Sequence, residues 1–290
     1  MPHKVAIATD SNSGIGKDEA ARLGIFVVPM PVLLEGVTYY EGVDITLEAF
    51  YGALCSGKQV TTAQPSPQDV TDIWQQAFQQ GYDEVVYIPM SSGLSSSCAT
   101  AIQLAEDFNG KVQVADNHRI SVPQRISVLD AMHLAQKGVC AADIRHRLEE
   151  NAYQSSIYIA VDTLEYLKKG GRVTAAGAAV AAVLGIRPIL TIQGKRLDAC
   201  DKVRGMKHAQ KKMIEHLRED IEQRFSDVSP ERLWIGAAGS FIEAEQAQEW
   251  KRMVEEAFPG NSVHYDPLTF SVGCHVGPGA VGIAIAVSEE

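Results

Sequence analysis

Short runs rich in valine and isoleucine, at 5–9, 26–33, 84–89, 112–115, 157–161, 188–192, 233–238 and 281–287, alternate along most of the chain with amphipathic helical segments. A helix between two buried strands brings the chain back to the same edge of a sheet. The alternation therefore predicts βαβ units around a mainly parallel sheet. A length of 290 residues corresponds to about two domains. Composition changes near residue 160: the stretch 164–189 is rich in Ala and Gly, where the preceding helices carry Gln, Glu and Arg. The expectation is an α/β protein of two α/β domains, 1–160 and 161–290, with the mainly parallel sheet in the first.

Two helices are well marked. Over 67–80, Val70, Ile73, Trp74, Ala77 and Phe78 form one apolar stripe. Ser66 is placed to cap it, Pro67 suits the first turn, Asp69 complements the helix dipole and Gly81 supplies a stop. Over 206–225, Met206, Met213, Ile214, Leu217 and Ile221 turn inward beneath a charged outer face. The Ala- and Gly-rich stretch is either a tightly packed core helix or the wall of a cavity, because small side chains let a backbone or a ligand come close.

The formal charge of −10 gives no electrostatic drive toward phosphate backbones, so no nucleic-acid partner is expected. Five scattered cysteines form no CxxC pair and no zinc spacing, so no metal is expected. The short apolar run at the N-terminus leads into a polar loop without a cleavage pattern, which points to the cytoplasm.

Three loops could carry chemistry. In 84–108 a buried strand runs into Ser91-Ser92-Gly93-Leu94-Ser95-Ser96-Ser97 and then into a helical stripe. Such a loop offers unpaired N–H groups, hydroxyls and a positive dipole end to an anion, although the serines would also serve as caps. In Thr61-Thr62-Ala63-Gln64-Pro65-Ser66-Pro67, Thr62 and Gln64 have no capping duty once Ser66 takes that role. Near the C-terminus His275 stands beside Gly273, Gly277 and Gly279. A histidine held there by glycines can donate to a carboxylate or can be structural. The formal GxGxxG at 277–282 opens no helix and is followed by no acidic residue at the required distance, so a dinucleotide reading fails. The loop Asp10-Ser11-Asn12-Ser13-Gly14 reads as a capping turn after the first strand.

Taken together, ATDSNSGI at 8–15, VTTAQPSP at 60–67, SSGLSSS at 91–97, LKKGGRVTAAGA at 167–178, KVRG at 202–205 and HVGPGAVG at 275–282 resemble the DegV family of bacterial fatty-acid-binding proteins. The motifs fall in family order across nearly the whole chain. The resemblance implies a lipid tunnel between the domains, with a fatty-acid carboxylate held by hydroxyls. On this sequence those ligands fall on Thr62, Ser91, Ser92, Ser95 and His275. Ala175, Ala178, Ala179 and Ala182 then become tunnel wall, and Arg172 and Arg204 face a partner or are simply solvated. Ala63 and Ser96 depart from the family's Ser and Gly, and Ser97 from its Thr; Ser96 could change how closely the backbone approaches the head group.

The same resemblance implies a binding protein with no cofactor and no catalysis of its own. It would present a long-chain acid to a separate dihydroxyacetone-kinase-like fatty acid kinase, which makes acyl phosphate for phospholipid synthesis. Transient contact with a membrane surface is compatible with that role. A rival reading is an acyl hydrolase or transferase using Ser92 or Ser95 with His275 as base, but no acidic third member is identifiable. A nucleotide-binding regulatory domain is a third, against the missing acidic fingerprint residue. If His275 donates to the carboxylate, binding is expected to favour the imidazolium and take up protons near neutral pH.

Overall fold

Strand β1 (Val5–Asp10) is buried along its whole length, which requires cover on both faces. In the computed structural model, which describes residues 3–172, 185–193 and 197–289, it receives that cover. It pairs in parallel with β2 (Phe26–Val28) and β6 (Glu84–Ile88), and β6 pairs in parallel with β7 (Val112–Val114), giving the order β2-β1-β6-β7. Side chains alternate between faces along each strand. Val5, Ile7, Val86 and Ile88 meet the helices Ser121–Gln136 and Ala141–Glu150. Ala6, Ala8, Val85 and Tyr87 meet the helices Pro67–Gln79 and Ser97–Ala105. The cap foreseen at Ser66 is a full capping box: Ser66 Oγ accepts from Asp69 N, and the Asp69 carboxylate accepts from Ser66 N.

The stretch 26–33, expected to be one strand, is two. Pro29 and Pro31 remove ladder donors, and the chain leaves the parallel sheet after Val28. It re-enters as β3 (Pro31–Leu34), the centre of a small antiparallel sheet with β4 (Val37–Tyr40) and β5 (Val60–Thr62). The turn into β4 is made by Glu35 and Gly36, both at positive φ.

The second half builds one six-stranded sheet in the order β10-β9-β8-β13-β11-β12. Its strands are β8 (Ser155–Ala160), β9 (Ile186–Ile192), β10 (Asp198–Arg204), β11 (Leu233–Gly239), β12 (Val263–Pro267) and β13 (Val281–Val287). Only β11 and β12 run parallel; every other neighbouring pair is antiparallel. Sheet membership changes between β7 and β8, so a division drawn at residue 160 would cut β8 from the sheet it pairs in. One face is covered by the helices Met206–Gln223 and Ala244–Ala257, through Met213, Leu217, Trp250 and Val254. On the other, Ile159, Leu190 and Ile192 pack with Met30, Met90, Leu94 and Ile120 from the first half.

The two halves are also joined by charge. Arg125 is 4% exposed; its guanidinium binds Glu19 at 2.6 Å, the Gly14 carbonyl at 2.9 Å and, across the junction, Asp266 at 2.9 Å. A Cβ on Gly14, at φ +74, would lie 2.6 Å from Asp266 Oδ2, so the tight approach of these segments depends on glycine.

Candidate functional site

Thr62 closes β5, where register with Val32 fixes its direction. His275 sits on the short helix Phe270–Val276. The two meet across 213 positions of sequence, with Thr62 Oγ1 2.9 Å from His275 Nε2. The opposite edge of the imidazole rests on Gly170, where a Cβ would collide with Nδ1. After His275, Gly277 at φ +78 turns the chain away, and a side chain there would strike the Tyr166 ring.

Thr62 and His275 border a cavity of about 150 Å³, whose other polar lining comes from Gln64, Ser95, Ser96, Arg172 and Ser271. Met30, Met90, Leu94, Ile120, Leu167 and Val276 supply apolar lining. A second cavity, of about 70 Å³, shares Leu94, Ile120, Leu197, Val272 and Val276 with the first. It continues along Ile157, Ile159 and Ile192, on the face of the six-stranded sheet that meets the first half. Toward solvent, Thr62, Arg172 and His275 also line an outer pocket with Lys58, Lys169, Glu165 and Tyr166. The Thr62–His275 pair thus stands between a basic mouth and an increasingly apolar interior.

The serine loop divides. Ser95 lines the cavity, and its Oγ accepts from Ser97 N at 3.2 Å. Ser91 and Ser92, expected as head-group ligands, are not in the lining. The Ser91 hydroxyl accepts from Gly93 N at 3.2 Å and its carbonyl from the amides of Leu94 and Ser95, so it shapes the turn. The Ser92 amide donates to Asp116 at 3.2 Å. Ser96 does reach the site: its hydroxyl and that of Thr100 both donate to Gln64 Oε1, at 3.3 and 3.1 Å, tying the two hydroxyl-rich loops together.

Arg172, expected to face a partner, belongs to the cavity rim, where Nε donates to the Leu94 carbonyl at 3.4 Å and Nη1 to the Gly170 carbonyl. Arg204 ends the edge strand β10 and is exposed, outside the cavity lining. Ala175, Ala178, Ala179 and Ala182 lie outside the described residues.

Burial, with Arg172 adding to it, pushes the His275 imidazole down to about 4, so the ring is neutral at pH 7. It therefore acts as one donor and one acceptor, and its tautomer sets whether Nε2 donates to the Thr62 hydroxyl or accepts from it. Nor does the geometry assemble a serine nucleophile: among the described residues no hydrogen bond joins His275 to Ser92 or Ser95.

Gln64, Ser96 and Ser271 were not singled out as ligands from sequence. For Gln64 the lack of a capping duty was the signal, for Ser96 its departure from the family's Gly; Ser271 carried none, because only the fold turns it toward the cavity.

The model described as "Uncharacterised protein, DegV family" matches residues 4–288. A DegV domain-containing protein of Deinococcus radiodurans is 32% identical over 287 residues, covering 97% of this chain and 98% of the relative. The structure is similar to that of a Thermus thermophilus DegV family protein described for its fatty acid binding, at TM-score 0.86 and 27% identity, covering 98% of this chain and 99% of that one. It is also similar to DegV of Bacillus subtilis, described as a fatty acid binding protein, at TM-score 0.84 and 26% identity, covering 99% and 100%.

Proposed function

The chain belongs to the DegV family, and on that premise we propose that it binds a long-chain fatty acid, holding the carboxylate at the Thr62–His275 end and burying the tail toward the six-stranded sheet. The observation that supports the reading is the contrast between two cavities with five lining residues in common, the first bordered by Thr62, Gln64, Ser95, Arg172 and His275 and the second by Ile157, Ile159 and Ile192. A carboxylate needs charge-assisted donors and an acyl chain needs dry walls, and this arrangement offers them at opposite ends. Tail burial would stabilise the complex by about 0.8 kcal/mol per methylene.

In the same proposal the protein is a carrier rather than an enzyme. It presents the carboxylate through the outer pocket to a separate dihydroxyacetone-kinase-like kinase, which forms the acyl phosphate used in phospholipid synthesis. Arg172 at the rim and exposed Arg204 are the partner-facing cations of this scheme, their guanidinium groups suited to carboxylate or phosphate.

Mass spectrometry of an organic extract, followed by titration with acids of increasing length, tests the binding reading. Hexadecanoate should bind far more tightly than butyrate, and equal affinities would reject it. Arg204→Ala should bind hexadecanoate normally but slow acyl phosphate formation in a mixture reconstituted with the kinase. Unchanged rates would remove Arg204 from the contact.

A further inference from the structure

We propose that Asn12 is a positioning residue for His275, acting through the hydroxyls of Thr269 and Ser271; the affinity arm of its test rests on the fatty-acid reading given above. Asn12 lies in the turn after β1, is 1% exposed, and uses its whole side chain. Its Oδ1 accepts from Thr269 Oγ1 at 2.9 Å and from Ser271 Oγ, residues more than two hundred and fifty positions away in sequence. Its Nδ2 meets Met90 Sδ at 3.1 Å. The turn is itself held, because Asn12 N donates to Asp10 Oδ1 at 3.0 Å while Asp10 Oδ2 takes Met90 N at 2.8 Å.

Thr269 precedes the helix Phe270–Val276 and Ser271 lies in its first turn. Ser271 and His275 are spaced i, i+4, so they share one face of that helix. Asn12 therefore ties the first strand of the parallel sheet to the helical face that carries the imidazole. Moving that helix would move Nε2 away from Thr62, which stands on a different sheet.

The tie also sets hydrogen-bond polarity. Two hydroxyl donors fill the acceptor sites of Oδ1, which orients the amide with its NH₂ toward the Met90 sulfur. With its proton committed to Asn12, Ser271 offers only lone pairs to the cavity it lines. Lone pairs repel a carboxylate, so the head group is directed to the Thr62 side.

The test compares Asn12→Ala, Thr269→Val and Thr269→Ser with the parent protein. The readouts are the ring resonances of His275, assigned with His275→Gln, and the affinity for hexadecanoate. Thr269 is absent from the head-group lining; its hydroxyl donates to Asn12 Oδ1 at 2.9 Å and stands 3.4 Å from Ser271 Oγ, so it reaches the cavity through these two residues. Asn12→Ala should shift the His275 resonances and weaken binding about tenfold. Thr269→Val should move the same resonances in the same direction with a smaller loss, and Thr269→Ser should restore both. Unshifted His275 resonances in Asn12→Ala and Thr269→Val would overturn the proposal, whatever happens to affinity or thermal stability. If Asn12→Ala does not fold, the Thr269 pair decides alone. If the parent protein fails to bind hexadecanoate, the functional reading falls while the resonances still decide the positioning role.

Discussion

His275 Nε2 lies 2.9 Å from Thr62 Oγ1, and Gly170 presses on the other side of the same ring. The imidazole is thus clamped between a hydroxyl of the small antiparallel sheet and the backbone of a glycine, and the neighbouring cavity inherits its geometry from that clamp.

Thr62→Val keeps the shape of β5 and removes the hydroxyl. Affinity for hexadecanoate should fall by about 1.5 to 3 kcal/mol, the scale of a hydrogen bond to a charged group, with little change in thermal stability. Isothermal titration measures the first and calorimetric unfolding the second. Unaltered affinity would move the head group away from Thr62.

Gly170→Ala places a methyl group where His275 Nδ1 stands. The ring must shift, so binding should weaken. In a His275→Ala background the same change should cost much less, because there is no ring to displace. Additive losses in this double-mutant cycle would mean that Gly170 acts elsewhere.

The depressed His275 pKa fixes a pH signature. The ordinary value is 6.5 and the folded value about 4, so between these limits the unfolded chain binds more protons, and stability contributed at this site falls as pH drops through the window. The parent protein should therefore lose stability relative to His275→Gln as pH is lowered from about 6.5 to 4, and the difference should be flat above pH 7. Urea unfolding of both proteins across that range checks it. Ligand binding should take up little proton between pH 7 and 8, readable by calorimetry in two buffers of different ionisation enthalpy.

Arg125→Ala should be severe. It strips Asp266 and Glu19 of their shared cation at a buried junction, and the cost of breaking such a pair is about 3 to 5 kcal/mol. Denaturant unfolding measures it. A loss under about 1 kcal/mol, typical of exposed pairs, would show that Asp266 finds other partners or water.

The parallel sheet was legible in the chain because each of its strands is buried by its own apolar run, and the helix after Ser66 because caps and stripes are local signals. Thr62 was legible as a candidate because Ser66 takes the capping duty of its loop, and His275 because of the glycines beside it, whereas Ser95 came from a serine loop that also serves the start of the next helix. β4 and β10 left no such trace, since both are largely exposed and their pairing depends on a neighbour rather than on periodicity. Strand direction in the second sheet was also hidden, because a buried strand has the same composition whether its neighbour runs parallel or antiparallel. Ser91 and Ser95 differ in role although they stand in the same serine-rich loop, and only the turn made by the Ser91 carbonyl separates them. The neutral state of His275, the placement of Arg172 at the rim and the grip of Asn12 on Thr269 and Ser271 were decided by tertiary structure alone. Each is a property of a pair of groups brought from distant parts of the chain, and burial and hydrogen bonding act on such a pair only after the fold has removed the water between them.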